Sequence, residues 1–149
     1  MPALTILVVP PFSDLGNAAF ALRREVFVIE QKVPPEVEND ADDLTATHWV
    51  AIADGDVVGT LRVLDKPEHC KIGRVAVRQG RRGQGIARAL MLAAMERARS
   101  GGSDRFYLTA QIDKIGLYER LGFKAFGPQF EDGGMPHRAM RTYGLDELA

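Results

Sequence analysis

Between Arg82 and Ala87 the chain reads Arg-Gly-Gln-Gly-Ile-Ala, the stretch whose residue types most directly suggest binding. Gly83 and Gly85 leave the backbone bare, so an anion can approach several amide N–H groups at once. A helix starting near Ile86 would add roughly half a positive charge at its N-terminus. Bare amides at a helix mouth suit a phosphate or diphosphate. Two side chains further on could move protons: the phenol of Tyr118 and the imidazole of His137. The ordinary imidazole pKa of about 6.5 suits a proton acceptor.

Two familiar phosphate-binding patterns do not fit. A P-loop needs Gly-Lys-Ser/Thr where this chain has Ile86-Ala87-Arg88. A dinucleotide fingerprint needs an acid leaving the next strand, whereas Asp104 precedes the apolar run Phe106-Tyr107-Leu108 and would enter it. At 149 residues with no Ser/Gly/Pro-rich linker, the chain reads as one domain, 1–149. A formal charge of -1 gives no general electrostatic reason to expect nucleic acid or an anionic membrane. Cys70 is the only cysteine, which excludes an internal disulfide and a cysteine-based metal cluster and favours a reducing compartment. The apolar run Leu4 to Val9 is too short to span a membrane and lacks a basic lead-in, so the expected location is cytoplasmic.

The elements that must position these residues follow from periodicity. Thr5 to Val9 reads as a strand ending at Pro10-Pro11. Ser13 or Asp14 can cap a helix running to Glu30, with Ala18, Ala19, Leu22, Val26 and Ile29 at helical spacing. Gln31 to Thr45, with two prolines and five acids, reads as a loop with at most a turn of helix. His48–Ala53 and Val57–Leu64 form a hairpin around Asp54-Gly55-Asp56, and Lys71–Val77 adds a third antiparallel strand. The helix after the glycines presents Ile86, Ala89, Leu90, Ala93 and Ala94 on one face and breaks at Ser100-Gly101-Gly102. A strand at Phe106–Ala110, a helix at Asp113–Leu121, a strand from Gly122-Phe123 to Gly127-Pro128 and a last strand at Ala139–Thr142 complete the chain. The expected class is α+β, a mixed and mostly antiparallel sheet flanked by helices.

With that order of elements around it, Arg82-Gly83-Gln84-Gly85-Ile86-Ala87 resembles the Arg/Gln-x-x-Gly-x-Gly/Ala acetyl-CoA-binding motif of the GNAT superfamily of N-acetyltransferases. Leu117-Tyr118-Glu119-Arg120-Leu121-Gly122-Phe123 is similar to a second signature, Leu-Tyr-x-x-x-Gly-Phe. Arg23-Arg24-Glu25-Val26-Phe27-Val28-Ile29-Glu30-Gln31, with Pro34, Glu38, Asp40, Asp43 and His48, then Ile72-Gly73-Arg74-Val75 and Ala110-Gln111, resembles the ElaA-like branch. The resemblance implies an acyl-CoA N-acyltransferase fold whose splayed strands leave a V-shaped cleft for the thioester. It implies that the main chain of Val75 and Val77 pairs with the pantetheine amides as an added strand. The diphosphate would then rest on Arg82 through Ala87, and Tyr118 would face the sulfur and protonate the departing thiolate. His137, expected just before the last strand where similar chains close over the acceptor, is the candidate base, with a strand-end histidine as the bland alternative and Glu25 or Glu30 through water as substitutes.

Arg23, Arg74 and the acidic run could line the acceptor pocket, the arginines for a carboxylate or phosphate and Glu38, Asp40 and Asp43 for a cationic amine. A solvated loop is the simpler account of those acids. Gln111 stands where many superfamily members have asparagine and is a candidate coenzyme or substrate contact. Adjacent His69 and Cys70 would point to opposite faces of a strand, so no metal is expected. His48 reads as structural, and Phe27, Trp49 and Phe123 as core. The implied activity is direct transfer of acetyl from acetyl-CoA to a primary amine, small or on a peptide lysine, without an acyl-enzyme. The alternative is a non-catalytic acyl-CoA sensor. Dimers are common among similar proteins, so a homodimer is a further expectation.

Overall fold

Thr5–Val9 forms strand β1 and ends at the proline pair, as its β-branched run predicts. The computed structural model describes residues 3–148. Helix α1 (Asp14–Arg23) opens with the Ser13 hydroxyl accepting the Gly16 amide at 3.0 Å. The spacing of apolar residues predicts one α-helix to Glu30, but the ladder widens over Arg24–Glu30 into a π-helix. Its wider turns end with the Gln31 amide donating to Val26 C=O at 3.1 Å and the Val33 amide to Phe27 C=O at 2.8 Å. Such segments are rare and cluster at functional sites. The acidic stretch holds a short helix α2 (Pro35–Glu38) and a 3₁₀ turn, Ala41–Leu44, capped by Asp40.

Strands β2 (Thr47–Ala53) and β3 (Asp56–Asp65) meet at Asp54 and Gly55, with φ of +53° and +81°, the left-handed pair that a two-residue hairpin demands. Strand β4 (Cys70–Val77), helix α3 (Ile86–Ser100) and strand β5 (Phe106–Gln111) follow within a residue or two of the expected limits. The expected helix over Asp113–Leu121 is a 3₁₀ turn, Ile112–Lys114, running into α4 (Ile115–Glu119). Strands β6 (Lys124–Asp132) and β7 (Met135–Arg141) are longer than predicted and turn at Gly133 and Gly134. Gly127-Pro128 lies within β6, in the stretch between Phe126 and Phe130 where pairing lapses, which an edge strand tolerates.

The seven strands are ordered β1-β2-β3-β4-β5-β7-β6, antiparallel except for β4 beside β5. Helix α1 covers one face over Val9, Val50, Val57 and Ala76. Helix α3 covers the other with Ile86, Leu90, Met91, Ala94 and Met95, a face turned slightly from the predicted one so that the methionines are buried and Ala89 and Ala93 only half so.

Two irregularities place the site. Strand β4 pairs with β5 only at Cys70↔Phe106 and Lys71↔Tyr107, after which the two diverge. Along β3, Thr60 pairs with Ala76 but Arg62 with Gly73, so Leu61 opposes both Arg74 and Val75 in a β-bulge. Arg74 adopts φ +51° there. The extra residue reverses the side-chain alternation: Ile72 packs under α3, whereas Ala76 packs under α1.

Candidate active site

The divergence of β4 and β5 opens a cavity of about 780 Å³. On the α3 side it is bordered by the glycine loop, in which Gly80, Gly83 and Gly85 have φ of +91°, +80° and +79°. Gly85 caps α3 without any side-chain hydrogen bond. Among the described residues, the amides of Arg82, Gly83, Gln84, Gly85, Ile86 and Ala87 find no backbone acceptor. Unspent N–H groups at a helix mouth are a site for anionic oxygens, and this chain's geometry fits a diphosphate there.

Val75, Val77, Arg82, Gly83, Gly85, Ile86 and Ala87 all border the cavity. The Gln84 side chain does not, and its Oε1 is buried without a partner. Arg82 is already engaged. Nε donates to Val77 C=O at 3.0 Å, and Nη1 and Nη2 grip Glu30 at 2.7 and 2.8 Å. The Arg82 hydrogen bonds hold the Glu30 carboxyl below its usual range, and Glu30 in turn raises Arg82. Glu30 is therefore tied to the glycine loop across the cleft mouth and is a poor proton acceptor.

Tyr118 comes from α4, its ring edge-on to Phe123 with centroids 6.2 Å apart. The ring is buried, and the hydroxyl has no hydrogen-bond partner among the described residues although the side chain borders the cavity. Burial pushes its pKa up to about 12, so the phenol keeps its proton throughout the physiological range.

His137 lies inside β7, not before it as expected, and is paired with Gln111 of β5 on one side and Phe130 of β6 on the other. Its Nδ1 is 2.8 Å from Met135 C=O. A carbonyl oxygen can only accept, so Nδ1 carries the hydrogen, and in the neutral ring the lone pair is on Nε2. Gln111 Nε2 donates to Gln31 Oε1 at 2.9 Å, tying β5 to the end of the π-helix, and both residues border the cavity.

Arg23 is not in the cleft. Its guanidinium is 1% exposed, with Nε on Glu38 at 2.6 Å and Nη1 and Nη2 on Asp43 at 2.7 and 3.1 Å. The expectation of an acceptor-binding Arg23 is corrected: each of its three guanidinium nitrogens bonds to α2 or the 3₁₀ turn. Glu38 and Asp43 are correspondingly buried, neither solvated nor available to a cationic amine. Burial opposes ionisation of Asp43, yet hydrogen bonds from Arg23 and Arg62 hold its carboxyl well below the usual range. Asp40, bonded by Arg62 at 2.7 and 3.0 Å, is also lowered.

Arg74 does border the cleft, reaching it from the bulge where strict alternation of faces is broken. Its Nε and Nη2 donate to Glu38 C=O at 3.1 and 3.0 Å. Phe27, expected in the core, is only half-buried and forms part of the cleft wall. His48 is structural as expected, its Nε2 2.9 Å from Asp43 C=O, and Trp49 and Phe123 are core. His69 stacks on Tyr107 at 4.5 Å and its Nδ1 meets the Tyr143 hydroxyl at 2.6 Å. Among the described residues no three His, Cys, Asp or Glu side chains gather as a metal site.

Sequence reasoning missed Arg62 and Lys71. Arg62 had a visible signal, a lone charge within the apolar run Val57–Leu64, and that charge requires a buried counter-ion.

The acetyltransferase (GNAT) family model matches residues 17–123. The uncharacterized N-acetyltransferase YjcF of Bacillus subtilis is 35% identical over 123 residues, 82% of this chain and 88% of its own. Protein ElaA of Escherichia coli is 33% identical over 129 residues, 83% and 84% respectively. Its crystal structure superposes with a TM-score of 0.81, covering 95% of this chain and 99% of that one. An acyl-CoA N-acyltransferase from Pseudomonas aeruginosa gives the same TM-score of 0.81 at 34% identity, covering 95% and 99%. With a seven-stranded mixed sheet splayed at β4 and β5 and orphaned amides at the mouth of α3, the chain belongs to the GNAT acetyltransferase family and has the acyl-CoA N-acyltransferase fold of its ElaA-like branch.

Proposed function

We propose that this protein moves an acetyl group directly from acetyl-CoA to a primary amine held in the same cleft. The observation that carries the reading is the line from the unspent amides of Arg82, Gly83, Gly85, Ile86 and Ala87, along the edge of β4 that β5 leaves, to Tyr118, all bordering one cavity. The coenzyme supplies an activated acyl thioester; the rest is done by the chain. The loop amides and the N-terminus of α3 hold the diphosphate. The main chain of Val75 and Val77, which β5 leaves without a strand partner and of which only Val77 C=O is engaged, by Arg82 Nε, takes the pantetheine arm as an added strand.

His137 Nε2 accepts a proton from the ammonium, and the neutral amine forms its bond to the carbonyl carbon as the carbon–sulfur bond breaks. Tyr118 donates its proton to the leaving sulfur, and the phenolate is restored from solvent. No acyl-enzyme intervenes. Cys70 lies outside the cleft beside Asp65 at 3.5 Å, and burial pushes its thiol pKa up, the reverse of an activated nucleophile. Holding amine and thioester together can itself supply about 7–11 kcal/mol.

Release of coenzyme thiol across a panel of primary amines tests the proposal. Amine-dependent release is expected. Tight coenzyme binding without release on any amine would instead identify a sensor that retains the cleft alone.

A further inference from the structure

The acceptor side of the cleft holds two cations that its carboxylates pair only loosely or not at all. Arg23, Arg62 and Arg74 face Glu38, Asp40 and Asp43, but unequally. Arg23 and Arg62 lie 2.6 to 2.8 Å from carboxylate oxygens, whereas Arg74 is 3.3 Å from Asp40 and 3.8 Å from Glu38. Its other bonds go to the carbonyls of Val37 and Glu38, and its Nη1 donates to nothing among the described residues. Burial and the charges of Arg62 and Arg23 push its pKa down, as expected of a cation short of counter-charge.

Lys71 is a second such cation. It is half-buried, borders the same cavity, and forms no ion pair among the described residues. Between the two sits Gly73, where a Cβ would meet nothing within 4 Å. Lys71 and Gly73 pair across the strand with Leu64 and Arg62, so this bare floor lies on the α1 side of the sheet, walled by Val33 and Val37. Lys71 stands six positions before Val77, roughly 20 Å at ~3.3 Å per step, too far for a diphosphate seated on the glycine loop to supply the anion. Arg74 holds a left-handed backbone in this strand, strain of the sort that persists where it aims a functional group.

We infer that Lys71 and Arg74 bind an anionic group of the acceptor itself, a carboxylate or a phosphate, so that the acylated amine belongs to a small molecule carrying both charges. This rests on the cleft being an acyltransferase site. The anion anchors one end of the acceptor over Gly73, and the amine extends along β5 toward His137.

Thiol release is measured with leucine, leucinamide and 3-methylbutylamine, and with phosphoethanolamine against ethanolamine. One acidic acceptor is expected to exceed its uncharged counterpart in kcat/KM by about tenfold or more, the loss typical of a missing charge-assisted hydrogen bond. Preference within the leucine set identifies a carboxylate, and preference within the ethanolamine pair a phosphate. Lys71→Met should collapse that ratio, chiefly through KM, and Lys71→Arg should restore most of it; coenzyme binding by calorimetry confirms that each variant is folded. Equal use of charged and uncharged amines overturns the inference and leaves acyl transfer standing. Absence of release with every amine, while calorimetry shows bound coenzyme, overturns both.

Discussion

In the proposed transfer, Tyr118 and His137 divide the proton work by environment. With its pKa pushed up to about 12, the phenol is protonated across the working range, so it can donate to a thiolate whose free thiol has a pKa of about 8.5. His137 has its Nδ1 hydrogen committed to Met135 and only Nε2 to offer. Removing each should therefore leave a different trace in one pH series. Tyr118→Phe is expected to lower kcat on the order of 10²-fold with the same ratio at every pH from 6 to 10. His137→Ala should be most damaging at low pH and recover as the amine loses its own proton near a pKa of about 10.4. A Tyr118→Phe enzyme within about twofold of wild type, or a His137→Ala profile parallel to wild type, would remove that residue from the mechanism. Tyr118 was legible because it stands in a recognisable signature. The tautomer of His137 was not, since it depends on a hairpin longer than Gly127-Pro128 suggested.

At the scale of elements, the glycine loop is only as well placed as the helix behind it. Gly59 of β3 lies beneath the first turn of α3, where a Cβ would stand 2.7 Å from Ile86 Cγ2 and 3.0 Å from Leu90 Cδ1. Gly59→Ala should thus act at a distance. Overpacking of this kind costs about 1–3 kcal/mol, or ~2–4 °C of Tm per kcal/mol at this size. Because Ile86 also opens the helix, coenzyme affinity should fall with Tm. A Tm loss with unchanged coenzyme Kd would show that the loop is held by other contacts. Local patterning was enough to read the Asp54-Gly55 hairpin, β4, α3 and the glycine turn. It could not show the π-helix or the bulge, because both answer to packing and pairing with distant strands, not to the residues' own preferences.

Across the whole molecule, the buried ion network joins α1, the acidic stretch, β3 and β4, and it borders the cleft through Glu38, Arg62 and Arg74. Sequence order separates Arg23 from Asp43 by 20 positions, which is why the acids read as a solvated loop. Asp43 and Asp40 have folded-state pKa values below their ordinary ones, so the stability they contribute is present at neutral pH and lost as pH falls below about 4. Stability should accordingly be flat from pH 7 to about 5 and drop steeply below. Arg23→Met, which removes the short ion pair of Glu38 and leaves Asp43 to Arg62 alone, should cost about 3–5 kcal/mol at neutral pH and flatten the acid limb. Chemical denaturation at several pH values measures both, and an unchanged acid limb in the variant would show that other carboxylates govern it.

The bulge at Arg74 makes this strand sensitive to its length in a way that its composition does not reveal. One residue sets the phase between the two halves of β4, so that Ile72 and Ala76, an even number apart, support opposite layers. Deleting a single position there would turn Val75 and Val77 inside out and send the coenzyme-facing edge toward the wrong helix. Conservative replacements along the strand should be absorbed far more readily than any one-residue change in count.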